Sequence, residues 1–132
     1  MKHLKLFLAI LFFVSLGSVS IAQSDSGVIK LIEPNDLLNT LKSSKIQLVD
    51  VRTPSEFATG HIGKSVNIDY YDQDFSAKIG KLDKSKPIYL YCRSGVRSSN
   101  SAEILKKLGF KTIYDLKGGV LNWSAQKMPL EK

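Results

Sequence analysis

Residues 90–99 read LYCRSGVRSS, and they hold Cys92, the one cysteine in 132 residues, with Arg93 and Arg97 within five positions of it. Gly95 permits tight curvature, and the small side chain of Ser94 leaves the inside of the turn open. Successive amides can then face inward as an anion-binding nest. A helix expected from Ser98 aims its positive end at the same point. Arg93 and Arg97 add two permanent positive charges. Each feature favours a thiolate over a thiol, and the thiolate is the nucleophile. The same cradle binds an incoming oxyanion, so Cys92 to Arg97 supports attack by sulfur on an anionic substrate.

A lone cysteine is often a small, inert core residue. Here an apolar run, a glycine turn, two arginines and a helix start coincide on it, which favours chemistry over packing. Cys92 and Arg97 enclose four residues, one fewer than protein tyrosine phosphatases place between theirs. The shorter ring of N–H donors suits one sulfur atom better than a phosphoryl group.

The elements that must position this loop follow from patterning. Val28–Ile32 is a short apolar run, and DLLNTLK after Pro34 spaces Leu37, Leu38 and Leu41 as a helix. Ile46–Val51 reads as a buried strand, SEFATG as a short helix ended by Gly60, and SVNI at 65–68 as the next strand. Residues 72–82 are weakly helical. Ile88–Tyr91 is short and rich in β-formers, Ser98–Leu108 is helical up to Gly109, Thr112–Leu116 is a strand, and a last short helix carries Val120, Leu121 and Trp123. Strand and helix alternate five times, and the strands are continuous apolar runs. That pattern predicts one α/β domain with a largely parallel sheet covered by helices on both faces. Ligands of such folds bind outside the carboxyl ends of the strands, which is where Cys92 falls.

The first 22 residues have Lys2 and Lys5, an apolar stretch from Leu6 to Val14, and small residues Ser20 and Ala22 before Gln23. This is the layout of a cleaved signal peptide, and the apolar run is short for a membrane span. The expectation is a signal peptide at 1–22, a domain over 28–130, and an exported protein, periplasmic or secreted, with no membrane contact after cleavage. Of 19 basic residues, loss of Lys2 and Lys5 leaves 17 against 12 acidic ones, a formal charge of +5. The lysines are scattered without interleaved aromatics, which argues against nucleic acid as a partner. With one cysteine, no internal disulfide can form, so the thiol is buried, paired with another chain, or kept for reaction. No metal site is visible: His3 lies in the leader, leaving His61 and Cys92.

Three stretches resemble the rhodanese-like sulfurtransferase family: LVDVRTPSEFATGHIGKSVNI at 48–68, YCRSGVRSS at 91–99, and GFKTIYDLKGGVLNW at 109–123. The resemblance implies a five-stranded parallel sheet between helices and a ping-pong mechanism without a cofactor. Cys92 would take the outer sulfur of a small sulfur-containing anion such as thiosulfate, release sulfite, hold a persulfide, and pass the sulfur to cyanide or a thiol. Arg97 matches the arginine that closes the family loop, and Arg93 is placed to contact the anion. The amides of Arg93, Ser94, Gly95, Val96 and Arg97 would stabilise the terminal sulfur. Lys64 and Ser65 stand where the family often has glycine and alanine, a departure expected to stay within a loop.

Three further residues read as support. Asp50 ends a strand, where it can accept hydrogen bonds from the loop. Arg52 is placed to pair with Glu56 and pin the short helix, and Ser98 opens the helix behind the cysteine. His61 reads as a turn residue, because a persulfide exchange needs no strong base once the thiol has ionised, and Trp123 reads as core. The competing account is a module without turnover, delivering sulfur to or forming a mixed disulfide with a partner protein through Cys92.

Overall fold

The structure is a computed structural model that describes Ser15, residues 17–19 and residues 26–132. The expected signal peptide otherwise lies outside the described residues. Five strands, β1 (Val28–Ile32), β2 (Gln47–Asp50), β3 (Val66–Asn67), β4 (Ile88–Tyr91) and β5 (Thr112–Leu116), form one sheet in the order β1-β5-β4-β2-β3. Every pairing is parallel. Helices α1 (Pro34–Ser43), α2 (Pro54–Thr59), α3 (Phe75–Ile79), α4 (Val96–Lys107) and α5 (Gly119–Ala125) make the connections.

The central strand β4 is buried along its whole length, which is why IYLY is apolar on both faces. Its alternate side chains feed two cores. Ile88, Leu90 and Cys92 join Val49, Val51 and Ile113 against Phe75 and Ile79 of α3 and Ala102 and Leu105 of α4. Tyr89 and Tyr91 join Leu48 and Leu116 against Leu37 of α1 and Val120 and Trp123 of α5. Trp123 is core, 1% exposed, with its indole N–H donating to the Pro129 carbonyl at 2.9 Å. Burying a side chain of that size contributes about 2–3 kcal/mol.

The fold is the expected one, with differences at element ends. The helix expected over 72–82 is only α3, one turn ended at Gly80. Before it, Asp72 accepts from the Asp74 amide and pairs with Lys78, and such local side-chain bonds compete with helix. The helix expected from Ser98 begins two residues earlier, at Val96. Gly95, at φ +116°, turns the chain so that its carbonyl accepts the Ser99 amide at 3.0 Å. Two loop residues thereby become the first turn of α4.

Candidate active site

The loop from Cys92 to Arg97 hangs between the carboxyl end of β4 and the start of α4. Cys92 is 1% exposed, so its sulfur lies at the base of the loop. The Gly95 amide donates to Sγ at 3.1 Å, and Sγ lies 3.5 Å from the Ser98 hydroxyl as its donor. Ser98 in turn donates to the Gly95 carbonyl at 3.2 Å. No side chain would meet resistance at Gly95, yet its φ of +116° suits glycine alone. Of the five amides expected to face the sulfur, that of Gly95 reaches it directly.

The loop's carbonyls are turned away by a clamp from α5. Val120 donates its amide to the Cys92 carbonyl at 2.9 Å, and Leu121 donates to the Arg93 carbonyl at 3.1 Å. Gly119 makes this approach possible: at φ +60°, a Cβ there would lie 2.6 Å from the Cys92 carbonyl oxygen and collide with that of Arg93. The first amides of α5 thus hold the Cys92 and Arg93 carbonyls, while the Gly95 amide faces the sulfur. Sequence reasoning placed Gly118–Gly119 only as a break before the last helix; the doublet itself was the available mark of close backbone approach.

The ion pairs differ from expectation. Arg52 does not pair with Glu56. It folds back on Asp50, donating from Nε at 3.0 Å and from an η nitrogen at 2.7 Å, and also donates to the Gly60 carbonyl at 2.7 Å. Both side chains are buried. Asp50 is therefore filled by Arg52 and takes none of the hydrogen bonds expected from the loop. It touches the site through Tyr91, its register partner in β4. Burial, with the Asp50 charge beside it, pushes the Tyr91 hydroxyl up. That hydroxyl accepts the Ile62 amide at 3.0 Å and shares a 3.0 Å hydrogen bond with Ser65.

Glu56 belongs to Arg97 instead. The guanidinium donates to both carboxylate oxygens, at 2.7 and 2.9 Å, the bidentate fork that arginine forms best. Arg97 also covers the Tyr71 ring, 5.6 Å from its centroid. Hydrogen bonds from Arg97 and then Thr53 pull the Glu56 carboxyl down to about 2, and the pairing raises Arg97 further. Thr53 and Glu56 form a capping box for α2, so one carboxylate both starts that helix and anchors the far end of the loop. Arg93 and Ser94 are exposed, and Arg93 has no ion-pair partner among the described residues. His61 stacks on Phe57 at 3.8 Å and its Nδ1 lies 3.1 Å from the Phe57 carbonyl, which fixes it in the turn after α2.

A sequence profile of the rhodanese-like domain matches residues 33–126. The chain is 42% identical over 82 residues to the uncharacterized protein YqhL of Bacillus subtilis, covering 62% of this chain and 64% of the relative. It is 36% identical over 93 residues to the tRNA uridine(34) hydroxylase of Pelagibacter ubique, covering 70% of this chain but only 31% of that enzyme. With the thiosulfate sulfurtransferase GlpE of Shewanella oneidensis it shares 31% identity over 94 residues, 71% of this chain and 91% of the relative. The crystal structure of a rhodanese-related protein from Thermoplasma volcanium superposes with a TM-score of 0.68 at 30% identity, covering 77% of this chain and 97% of the other. Cys92 at the strand end, the glycine turn and the clamped loop all lie within the matched region, and the chain belongs to the rhodanese-like domain family.

Proposed function

We propose that the protein is a sulfurtransferase that carries sulfur as a persulfide on Cys92. The observation that carries this reading is the position of Sγ, 3.1 Å from the Gly95 amide, inside a loop whose Cys92 and Arg93 carbonyls are held by α5. The Cys92 thiolate attacks the outer sulfur of a thiosulfate-like donor. A sulfur–sulfur bond forms to Sγ, the donor's own sulfur–sulfur bond breaks, and sulfite leaves with the electron pair. Cyanide or an acceptor thiolate then attacks the outer sulfur, and Cys92 departs as thiolate. Inward amides stabilise the negative terminal sulfur between the two steps, and exposed Arg93 meets the anion at the mouth. The sulfurtransferase GlpE, matched over nearly its whole length, supports this assignment, and the leader-like residues 1–22 support a site of action outside the cytosol.

Intact mass after incubation with thiosulfate tests the reading. Wild type is expected to gain one sulfur atom, lost again on adding cyanide, while Cys92→Ser gains none. A wild-type protein that stays unmodified under non-reducing conditions overturns it. A second reading, delivery of sulfur to a partner protein, is favoured by Tyr71 and Val96, apolar residues 67% and 69% exposed beside the loop. It predicts slow turnover with cyanide and fast turnover with the partner's thiol.

A further inference from the structure

Eight large apolar side chains are exposed among the described residues, and four of them, Leu31, Tyr71, Val96 and Leu121, adjoin the Cys92 loop. Val96 belongs to the loop itself. Tyr71 carries the Arg97 guanidinium over its ring, and the Leu121 amide donates to the Arg93 carbonyl. Leu31, near the carboxyl end of β1, lines one open depression of about 480 Å³ with Ser94, Gly95 and Val96. Single exposed apolar residues are ordinary on a protein surface. Four that meet around a buried nucleophile mark a surface that a partner covers.

Charge differs along this rim. Near Tyr71, Asp69 accepts the Tyr71 amide and Asp72 pairs with Lys78. Glu56 holds Arg97, and Glu33 holds Lys117, which lines the depression together with buried Asp115. Arg93, beside Leu121, is exposed and has no ion-pair partner among the described residues, so a carboxylate is favoured at that end of the rim. Depth limits the shape of the partner. Cys92 is 1% exposed, and the outer sulfur of a persulfide reaches only about 2 Å further. A flat protein face cannot bring its own thiol that deep, whereas a narrow segment can: nine extended residues span about 30 Å, with side chains alternating to either side of the chain. Cyanide reaches the sulfur but leaves the four apolar side chains in water. We propose that the rim is a docking surface for an extended, cysteine-bearing segment of a partner protein, with apolar residues beside the cysteine to cover Leu31, Tyr71, Val96 and Leu121 and a carboxylate to meet Arg93. This rests on the persulfide reading above and names its acceptor. The docked thiolate attacks the outer sulfur of the Cys92 persulfide, a sulfur–sulfur bond forms to the partner as the one to Sγ breaks, and Cys92 leaves as thiolate.

The probes are nine-residue peptides whose central cysteine is activated as its 2-pyridyl disulfide, and free cysteine activated in the same way. The Cys92 thiolate attacks the peptide sulfur and pyridinethiolate leaves, so its absorbance reports docking without any sulfur transfer. A peptide with leucines on both sides of the cysteine and one aspartate, made with the aspartate before or after the cysteine, is expected in its better form to react at least about tenfold faster than a serine–glycine peptide or activated cysteine. Leu31→Ser should slow the leucine peptide about fivefold and leave activated cysteine unchanged. Exchanging the aspartate for lysine should slow the reaction of wild type about threefold at low salt, and Arg93→Glu should reverse that order. Peptide rates that follow activated cysteine whatever the sequence overturn the proposal. So does a Leu31→Ser protein that melts like wild type yet slows peptide and cysteine disulfides alike. A wild type that is dimeric by size exclusion and monomeric as Leu31→Ser overturns it too, because a second copy then covers the surface. If Leu31→Ser melts early, the charge reversal at Arg93 decides alone. Failure of the persulfide reading appears separately, as no mass gain from thiosulfate in a protein that still selects among the peptides.

Discussion

Glu56→Gln isolates the charge of the carboxylate that anchors the loop. Glutamine serves a capping box as well as glutamate does, so α2 keeps its start and only the attraction to Arg97 is lost. A carboxyl lowered from 4.5 to about 2 sets an upper bound of about 3 kcal/mol on its contribution to stability at neutral pH. The Glu56 and Arg97 side chains are 30% and 15% exposed, and solvent screening reduces this to about 1–2 kcal/mol. The sign follows from the direction of the shift. A carboxyl bound less tightly to its proton in the folded state stabilises the fold above its unfolded value of 4.5, and that stabilisation disappears as pH falls toward about 2. Urea denaturation at pH 7 should therefore show wild type ahead of Glu56→Gln by about 1–2 kcal/mol, with roughly half of the gap or less left at pH 3. A gap that is constant between those pH values, or that widens on acidification, would refute the assignment of the stabilisation to this pair.

Other perturbations separate the clamp from the buried ion pair. Gly119→Ala forces a side chain onto a backbone at φ +60° and against the Cys92 and Arg93 carbonyls; a stability loss of about 2–4 kcal/mol is expected in urea melts. The same variant should load sulfur from thiosulfate at least about tenfold more slowly by intact mass, since a misplacement of about 1 Å costs that much or more. Asp50→Ala leaves the Arg52 guanidinium buried without its carboxylate and should cost about 3–5 kcal/mol. Thermal unfolding of Asp50→Leu combined with Arg52→Met should recover much of that loss, because a buried pair can be replaced by apolar groups at little net cost.

Much of this arrangement was legible in the chain. The alternation of apolar strands with helices gave the parallel sheet, and IYLY followed by a cysteine and a glycine turn gave the place of the loop, because strand burial and turn chemistry are local properties. Ion-pair partners were a different matter. Arg52 lies four residues before Glu56, a spacing that invites pairing, but Pro54 starts a helix between them and Arg52 stays behind at the strand end with Asp50. Glu56 then turns to Arg97, 41 residues away, and nothing in local spacing selects that partner. Asp115 was equally hidden, since nothing in the strand TIYDL marks its one acid as 4% exposed. Lys64 and Ser65 differ again: Lys64 takes a left-handed turn at φ +66° where the family often has glycine, but Ser65, expected to stay a loop matter, reaches the buried Tyr91 hydroxyl of β4 at 3.0 Å.

The loop holds two arginines, but they are not equivalent charges. Glu56 cancels Arg97 through a two-point contact, and Tyr71 covers its face, so Arg97 fixes the geometry of the first turn of α4 and contributes little net field. Attraction of an anion then falls to exposed Arg93, to the Gly95 amide at the sulfur and to the start of α4. Amide dipoles cannot move toward a substrate or follow it out. A fixed amide such as that of Gly95 favours a charged sulfur held against it, without gripping a departing group. For the proposed sulfur carrier, whose first product would be an anion that must leave before the second step, a fixed cradle with one exposed cation at its rim would serve both halves of the cycle. A second unpaired arginine would strengthen donor binding and product retention together.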